Sequence, residues 1–84
     1  MIDIPSAVLF ACTHNIVRSP MAAALLRHLH GKRIYVDSCG IRRGPALDPF
    51  VTEVMEEIGI DLSKHHPKSV EDLEDSYFDL IISL

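Results

Sequence analysis

With 84 residues, 48% of them hydrophobic and 24% charged, the chain has the size and composition of one small globular domain. Its 8 basic and 12 acidic side chains give a formal charge of -4, which excludes a global electrostatic grip on a nucleic-acid backbone or an anionic bilayer. No apolar run approaches the roughly 20 residues of a membrane span, and Met1–Ala11 lacks a basic region followed by a long apolar one, so the chain reads as cytoplasmic.

The predicted elements begin with Ala7–Ala11, an unbroken apolar run suited to a central parallel strand. After a polar loop, Ser19-Pro20 opens a helix, with Ser19 as cap and Met21, Ala22, Ala24, Leu25 and Leu29 as its apolar stripe. Gly31 ends that helix. Ile34-Tyr35-Val36 predicts a second strand closed by Cys39-Gly40, and Gly44-Pro45 marks a turn. Asp48-Pro49 starts a second helix striped by Val51, Val54, Met55 and Ile58 and stopped by Gly59. Ser69–Leu73 has a capping pattern for one helical turn, with Asp72 three residues after Ser69. Phe78–Leu84 is the third strand.

This alternation predicts an α/β fold with a parallel sheet, and the most apolar first strand belongs in the middle, giving the order 2-1-3. The expected architecture is three-layer and flavodoxin-like, with the two helices on opposite faces and ligands bound beyond the carboxyl end of the first strand, where Cys12 sits. No linker or repeat divides the chain, so residues 1–84 read as a single domain. A last strand that is apolar and ends the sequence is expected to be an exposed edge, which suits a fragment of a longer fold or a homodimer paired through that strand.

The chemistry concentrates in Cys12-Thr13-His14-Asn15-Ile16-Val17-Arg18-Ser19, a thiol directly after a buried strand and an arginine directly before a helix. Successive amides in such a loop can curl around a tetrahedral oxyanion, the helix N-terminus adds positive potential, and Arg18 can close the cradle bidentately. The same field favours a thiolate, which makes Cys12 a candidate nucleophile that Ser19 can hydrogen-bond. Cys12 and Cys39 lack the C-x-x-C spacing of a zinc site, and the histidines lack H-E-x-x-H spacing, so neither metal nor cofactor is expected.

The segment Val8–Ala22 resembles the signature of the low-molecular-weight protein tyrosine phosphatases and of the arsenate reductases that share their fold. Asp37-Ser38-Cys39-Gly40, Gly59-Ile60-Asp61-Leu62-Ser63 and Phe78-Asp79-Leu80-Ile81-Ile82 are similar to further blocks of that family. The resemblance implies Cys12 as nucleophile, Arg18 as phosphate clamp and Ser19 as the thiolate's partner. It also implies an oxyanion loop over Thr13, His14, Asn15, Ile16 and Val17, with Asn15 holding the backbone and Ser38 and His65 bracing Asn15. Phosphorylated proteins or small phosphomonoesters are the implied partners.

The pattern also departs from the family. His14-Asn15 is closer to the reductase branch and Ser19-Pro20 to the phosphatases, while Val17 stands where many phosphatases have a second cysteine. The loop Ile41–Leu47 is short and lacks the family's substrate-flanking aromatic; Arg42-Arg43 there suggest a smaller or more anionic substrate. A Cys12–Cys39 disulfide is conceivable, since the two strands are neighbours. The family's general acid, an Asp-Pro, lies beyond residue 84, and Asp48-Pro49 has a sufficient role in opening a helix. The leading functional expectation is a phosphatase acting through a phosphocysteine. The alternatives are an arsenate reductase, a non-catalytic oxyanion-binding module, and a phosphocysteine carrier, against which Arg18 argues.

Overall fold

The computed structural model describes residues 5–42, 44–73 and 77–84. Strand β1 (Ala7–Cys12), helix α1 (Arg18–His30), strand β2 (Tyr35–Gly40), helix α2 (Pro49–Glu57), a 3-10 turn (Val70–Asp72) and strand β3 (Leu80–Ser83) follow in chain order. The strands are parallel in the order β2-β1-β3, with Val8 opposite both Val36 and Leu80, as the apolar character of β1 predicted.

Alternation along β1 sends Val8 and Phe10 to one face, where they form a core with Ala23 of α1 and with Ile34 and Val36. Burying each large side chain there contributes about 1.5–3 kcal/mol, far more than helix propensity supplies, so this contact fixes α1 on the sheet. The second helix sits differently from expectation. Instead of covering the opposite face, α2 buries Val51 and Met55 against Ala24 of α1, with Ile60 and Leu62, in a cluster that holds no strand residue. Consecutive alanines explain this: Ala23 turns to the sheet and Ala24, about 100° further round, offers a second surface flat enough for another helix. Leu25 and Leu29 of the predicted stripe are exposed as a result.

Two of the predicted boundaries hold in atomic detail. Asp48 caps α2, its Oδ1 accepting from the Phe50 N–H at 2.9 Å. Gly59 follows the helix with φ of +82°, a left-handed turn that glycine adopts without strain. At the 3-10 turn, Asp72 Oδ2 accepts both the N–H and the hydroxyl of Ser69. The predicted cap of α1 does not form. That helix starts at Arg18 after Val17, and the Ser19 hydroxyl is drawn away to Cys12.

Asp79 ties the lower end of the sheet, accepting the N–H groups of Ser6 and Ala7 and the Tyr77 hydroxyl, while Phe78 stacks on Tyr35. In β3 Leu80, Ile81 and, just after it, Leu84 are exposed, in keeping with an apolar edge strand.

Replacing Gly59 with alanine meets no atom within 4 Å, so its cost is purely conformational and should be about 1 kcal/mol; Asp48→Ala should cost a similar amount through the lost cap. Urea denaturation checks both: each variant should unfold at lower urea than the parent, and unchanged midpoints would contradict these end assignments.

Candidate active site

The loop from Cys12 to Arg18 joins the carboxyl end of β1 to α1, and every carbonyl from residue 12 to 17 is occupied by a donor from outside it or from the helix. Ile41 N–H donates to Cys12 O (3.0 Å), Arg42 N–H to Thr13 O (3.0 Å), Gly44 N–H to His14 O (3.0 Å) and Asp48 N–H to Ile16 O (3.2 Å). His65 Nε2 reaches Asn15 O at 3.4 Å, and Met21 N–H takes Val17 O at 3.2 Å. With the carbonyls held outward, the amides are left to turn inward. Among the described residues no acceptor meets the N–H groups of Ile16, Val17 and Arg18.

The short loop after β2 thus works as a splint, and it must lie very close. A Cβ at Gly40 would stand 2.8 Å from Asn15 N and His14 C, and one at Gly44 would stand 2.5 Å from Ile16 Cγ2. Both glycines answer to this approach of two backbones.

Asn15 is fully buried and is the one non-glycine residue with positive φ (61°) among the described residues. Its Nδ2 donates both protons, to Ser19 Oγ (2.8 Å) and Ser38 Oγ (2.9 Å), and its Oδ1 accepts the Lys68 N–H (3.0 Å). Its own N–H points at Cys12 Sγ, 3.3 Å away. Because Asn15 O can only accept, the bond from His65 Nε2 fixes the tautomer with hydrogen on that nitrogen. Burial lowers the His65 pKa, which keeps that ring neutral.

The thiol of Cys12 is buried, which by itself pushes its pKa up, yet hydrogen bonds from the Ser19 hydroxyl and from the amides of Ser19, Asn15 and His14 outweigh burial and leave it below the ordinary cysteine value. Ser19 Oγ lies 2.9 Å from Sγ and 3.3 Å from Cys39 O, and it has a single proton to give. When Cys12 is a thiol, S–H donates to Oγ and the hydroxyl turns to Cys39 O; when Cys12 is a thiolate, the hydroxyl turns to sulfur. Folding and ionisation therefore favour one another. The contribution is complete above the unfolded-state pKa of about 8.5 and fades as pH falls through the lower folded value.

The structure brings together Cys12, Asn15, Ser19, Ser38 and His65 as the sequence led one to expect. Arg18 opens α1 beside the amides, exposed and without a hydrogen bond or ion pair among the described residues, so its guanidinium is available to a ligand. Thr13 and His14 are exposed at the mouth. Arg42 is exposed too; Arg43 lies outside the described residues. Lys68 is the member that sequence reading missed, because its contact with Asn15 is through the backbone N–H, which any residue but proline could supply.

The conceivable disulfide is disfavoured by register. Cys39 pairs with Ala11 and Gly40 with Cys12, so the two thiols leave adjacent strands on opposite faces of the sheet. Both are free, and the Cys39 pKa is raised by burial and by Asp37.

As a chemical device, the loop offers inward amides, a free guanidinium and an acidified thiol to one tetrahedral dianion. Residues 7–84 match the protein family described as low molecular weight phosphotyrosine protein phosphatase. The chain is 35% identical over 77 residues to a glutaredoxin arsenate reductase of Synechocystis sp., covering 92% of this chain and 58% of that protein. It is 41% identical over 76 residues to a probable low molecular weight protein-tyrosine-phosphatase, EpsP, of Ralstonia nicotianae, covering 89% and 52%. Among solved structures it superposes on an arsenate reductase in the phosphate binding state with a TM-score of 0.86 at 34% identity, covering 94% of this chain and 60% of that one. On Vibrio vulnificus Wzb in complex with benzylphosphonate the TM-score is 0.80 at 27% identity, covering 93% and 57%. The chain thus spans a little over half the length of these relatives.

Mild peroxide should convert Cys12 to sulfenic and then higher acids without forming a Cys12–Cys39 bridge. Peptide mass spectrometry checks this, and a dominant bridged peptide would contradict the opposed placement of the two thiols.

Proposed function

The chain belongs to the low molecular weight phosphotyrosine protein phosphatase family, and from that premise we propose that it hydrolyses phosphomonoesters through a phosphocysteine on Cys12. The observation that carries this reading is the Asn15–Ser19–Cys12 network, which lowers the thiol's pKa beneath a cradle of inward amides.

In the first step the phosphoryl dianion sits against the loop amides and Arg18, which spread its negative charge. Cys12 Sγ attacks phosphorus in line with the ester oxygen; the S–P bond forms, the P–O bond breaks, and the alcohol departs with a proton from an acid or from water. Water then attacks phosphorus, the S–P bond breaks, and inorganic phosphate leaves the thiolate behind. The Ser19 hydroxyl points at sulfur in the ionised state and stabilises it as both nucleophile and leaving group. Asp48 spends its Oδ1 on capping α2 and is not assigned the acid's part. Aryl esters with a weakly basic leaving group need that proton least.

Arg42 holds Thr13 O through its amide and leaves its side chain exposed at the mouth, which supports a preference for small or anionic phosphoesters. The exposed apolar β3 supports association with a second copy through that strand. The absence, among the described residues, of any helix long and apolar enough to cross a membrane is compatible with action in the cytoplasm. Residues 1–84 are read as one domain corresponding to the N-terminal part of the family fold.

Arsenate reduction is the second reading, favoured by the likeness to the Synechocystis reductase and to the phosphate-bound reductase structure. It requires thiols that carry away oxidising equivalents, and Cys39 faces away from Cys12.

Hydrolysis of 4-nitrophenyl phosphate should be abolished by Cys12→Ser and slowed by about 100- to 1,000-fold by Arg18→Ala, with radioactive phosphate trapped on Cys12 by acid quenching. Glutaredoxin- or thioredoxin-dependent arsenate consumption without ester hydrolysis would favour the reductase. Phosphate binding without turnover of either would reduce the site to an oxyanion-binding module.

A further inference from the structure

We propose that the ion pair between Lys68 and Asp37 is a positioning device for Cys12, clamping together the two chain segments that hold Asn15 in its left-handed conformation. The inference deepens the phosphatase reading, but its first readout, the state of the Cys12 thiol, does not depend on that reading.

Asn15 is gripped from two directions. One wall is β2, where Ser38 Oγ accepts from Asn15 Nδ2. The other is the segment before the 3-10 turn, where the Lys68 N–H donates to Asn15 Oδ1 and His65 Nε2 reaches Asn15 O. The walls come from distant parts of the sequence and share few other ties: Lys68 O accepts the Gly40 N–H at 2.8 Å, and an isolated bridge joins Gly40 to Ser69. The side chains close the frame. Lys68 Nζ meets Asp37 Oδ1 at 2.5 Å, and the same oxygen accepts the N–H of Ser38, the residue that holds Asn15. A single carboxylate oxygen therefore links the cation of one wall to the backbone of the other.

The pair is partly shielded, with the side chains 32% and 15% exposed, and it borders a groove of about 590 Å³ behind the loop. It is thus less screened than a surface pair, and loss of one partner leaves the other poorly solvated. The groups that act directly on the Cys12 thiol are Ser19, Asn15 and His14. Neither Lys68 nor Asp37 touches the sulfur; the route from the pair to it runs through Asn15, which accepts the Lys68 N–H and donates its own N–H to Cys12 Sγ. Any displacement of Asn15 is passed to sulfur directly, because its N–H lies 3.3 Å from Cys12 Sγ and its Nδ2 donates to Ser19 Oγ, which is 2.9 Å from Sγ.

The test compares Lys68→Met, Asp37→Asn and Lys68→Arg with the parent, using Lys64→Met as a control that removes a neighbouring exposed cation outside the pair. The pH dependence of iodoacetamide alkylation at Cys12 and protection by inorganic phosphate are read by peptide mass spectrometry. In Lys68→Met and Asp37→Asn the alkylation midpoint should move up by about half a pH unit or more, and phosphate affinity should fall about 3- to 10-fold. Lys68→Arg should restore both, and Lys64→Met should change neither. Lowered melting temperatures with parental midpoints and phosphate affinities would show a merely structural tie and overturn the proposal, as would an equal effect from Lys64→Met. Should Lys68→Met fail to fold, Asp37→Asn, which keeps an acceptor for the Ser38 N–H, decides alone. A shifted midpoint in a chain that hydrolyses no phosphoester leaves the positioning role standing and removes the phosphatase reading; turnover with unshifted variants does the reverse.

Discussion

Asn15 is the constraint on which the rest of the site depends. A left-handed residue at this point reverses the run of peptide planes, sending carbonyls outward to the splint of residues 41–48 and amides inward toward sulfur. The conformation costs an L-residue about 1–2 kcal/mol, least for asparagine, and several hydrogen bonds of about 0.5–1.5 kcal/mol each more than offset it. The side chain is equally committed. Without it, the buried hydroxyls of Ser19 and Ser38 would each lose a donor and the N–H of Lys68 its acceptor, and a buried group left unsatisfied costs about 1–3 kcal/mol. Glycine could adopt the backbone angle but would make none of these bonds.

The sulfur shows how the balance between opposed effects is decided. Burial of Cys12 in an apolar strand end disfavours charge, and an unassisted thiol there would have its pKa raised, as that of Cys39 is. The difference between two buried cysteines on neighbouring strands is one of donors: Cys12 has a hydroxyl and amides aimed at it, whereas Cys39 has Asp37 nearby. Arg18, exposed beside the loop amides, offers its charge to an anion there, while the donors that act on the thiol are the Ser19 hydroxyl and the backbone amides.

Much of this was legible in the sequence where a local rule sufficed. β1 in the centre followed from an unbroken apolar run, α2 from Asp48-Pro49 and Gly59, the 3-10 turn from Ser69 and Asp72. The candidate site followed from the spacing of Cys12, Arg18 and Ser19 and from the family resemblance. Failures occurred where one residue had two possible partners. Ser19 reads as a helix cap, but the helix already begins at Arg18, and the Ser19 hydroxyl is engaged by Asn15, Cys12 and Cys39 O. Ala23 and Ala24 are interchangeable in a helical stripe, yet they serve the sheet and α2 separately, which put the second helix on α1. The face to which Cys39 points depends on strand register, and the grip of Lys68 on Asn15 uses a main-chain group that carries no sequence signal.

Folding, through Asn15 and Ser19, favours the anionic form of the Cys12 sulfur. The most direct measurement is thiolate absorbance at 240 nm against pH in the Cys39→Ala chain, where Cys12 is the sole thiol, recorded folded and again in urea. A folded midpoint below that of the unfolded chain, returning toward it in Ser19→Ala, is the predicted result. A folded midpoint equal to or above the unfolded one would contradict the account.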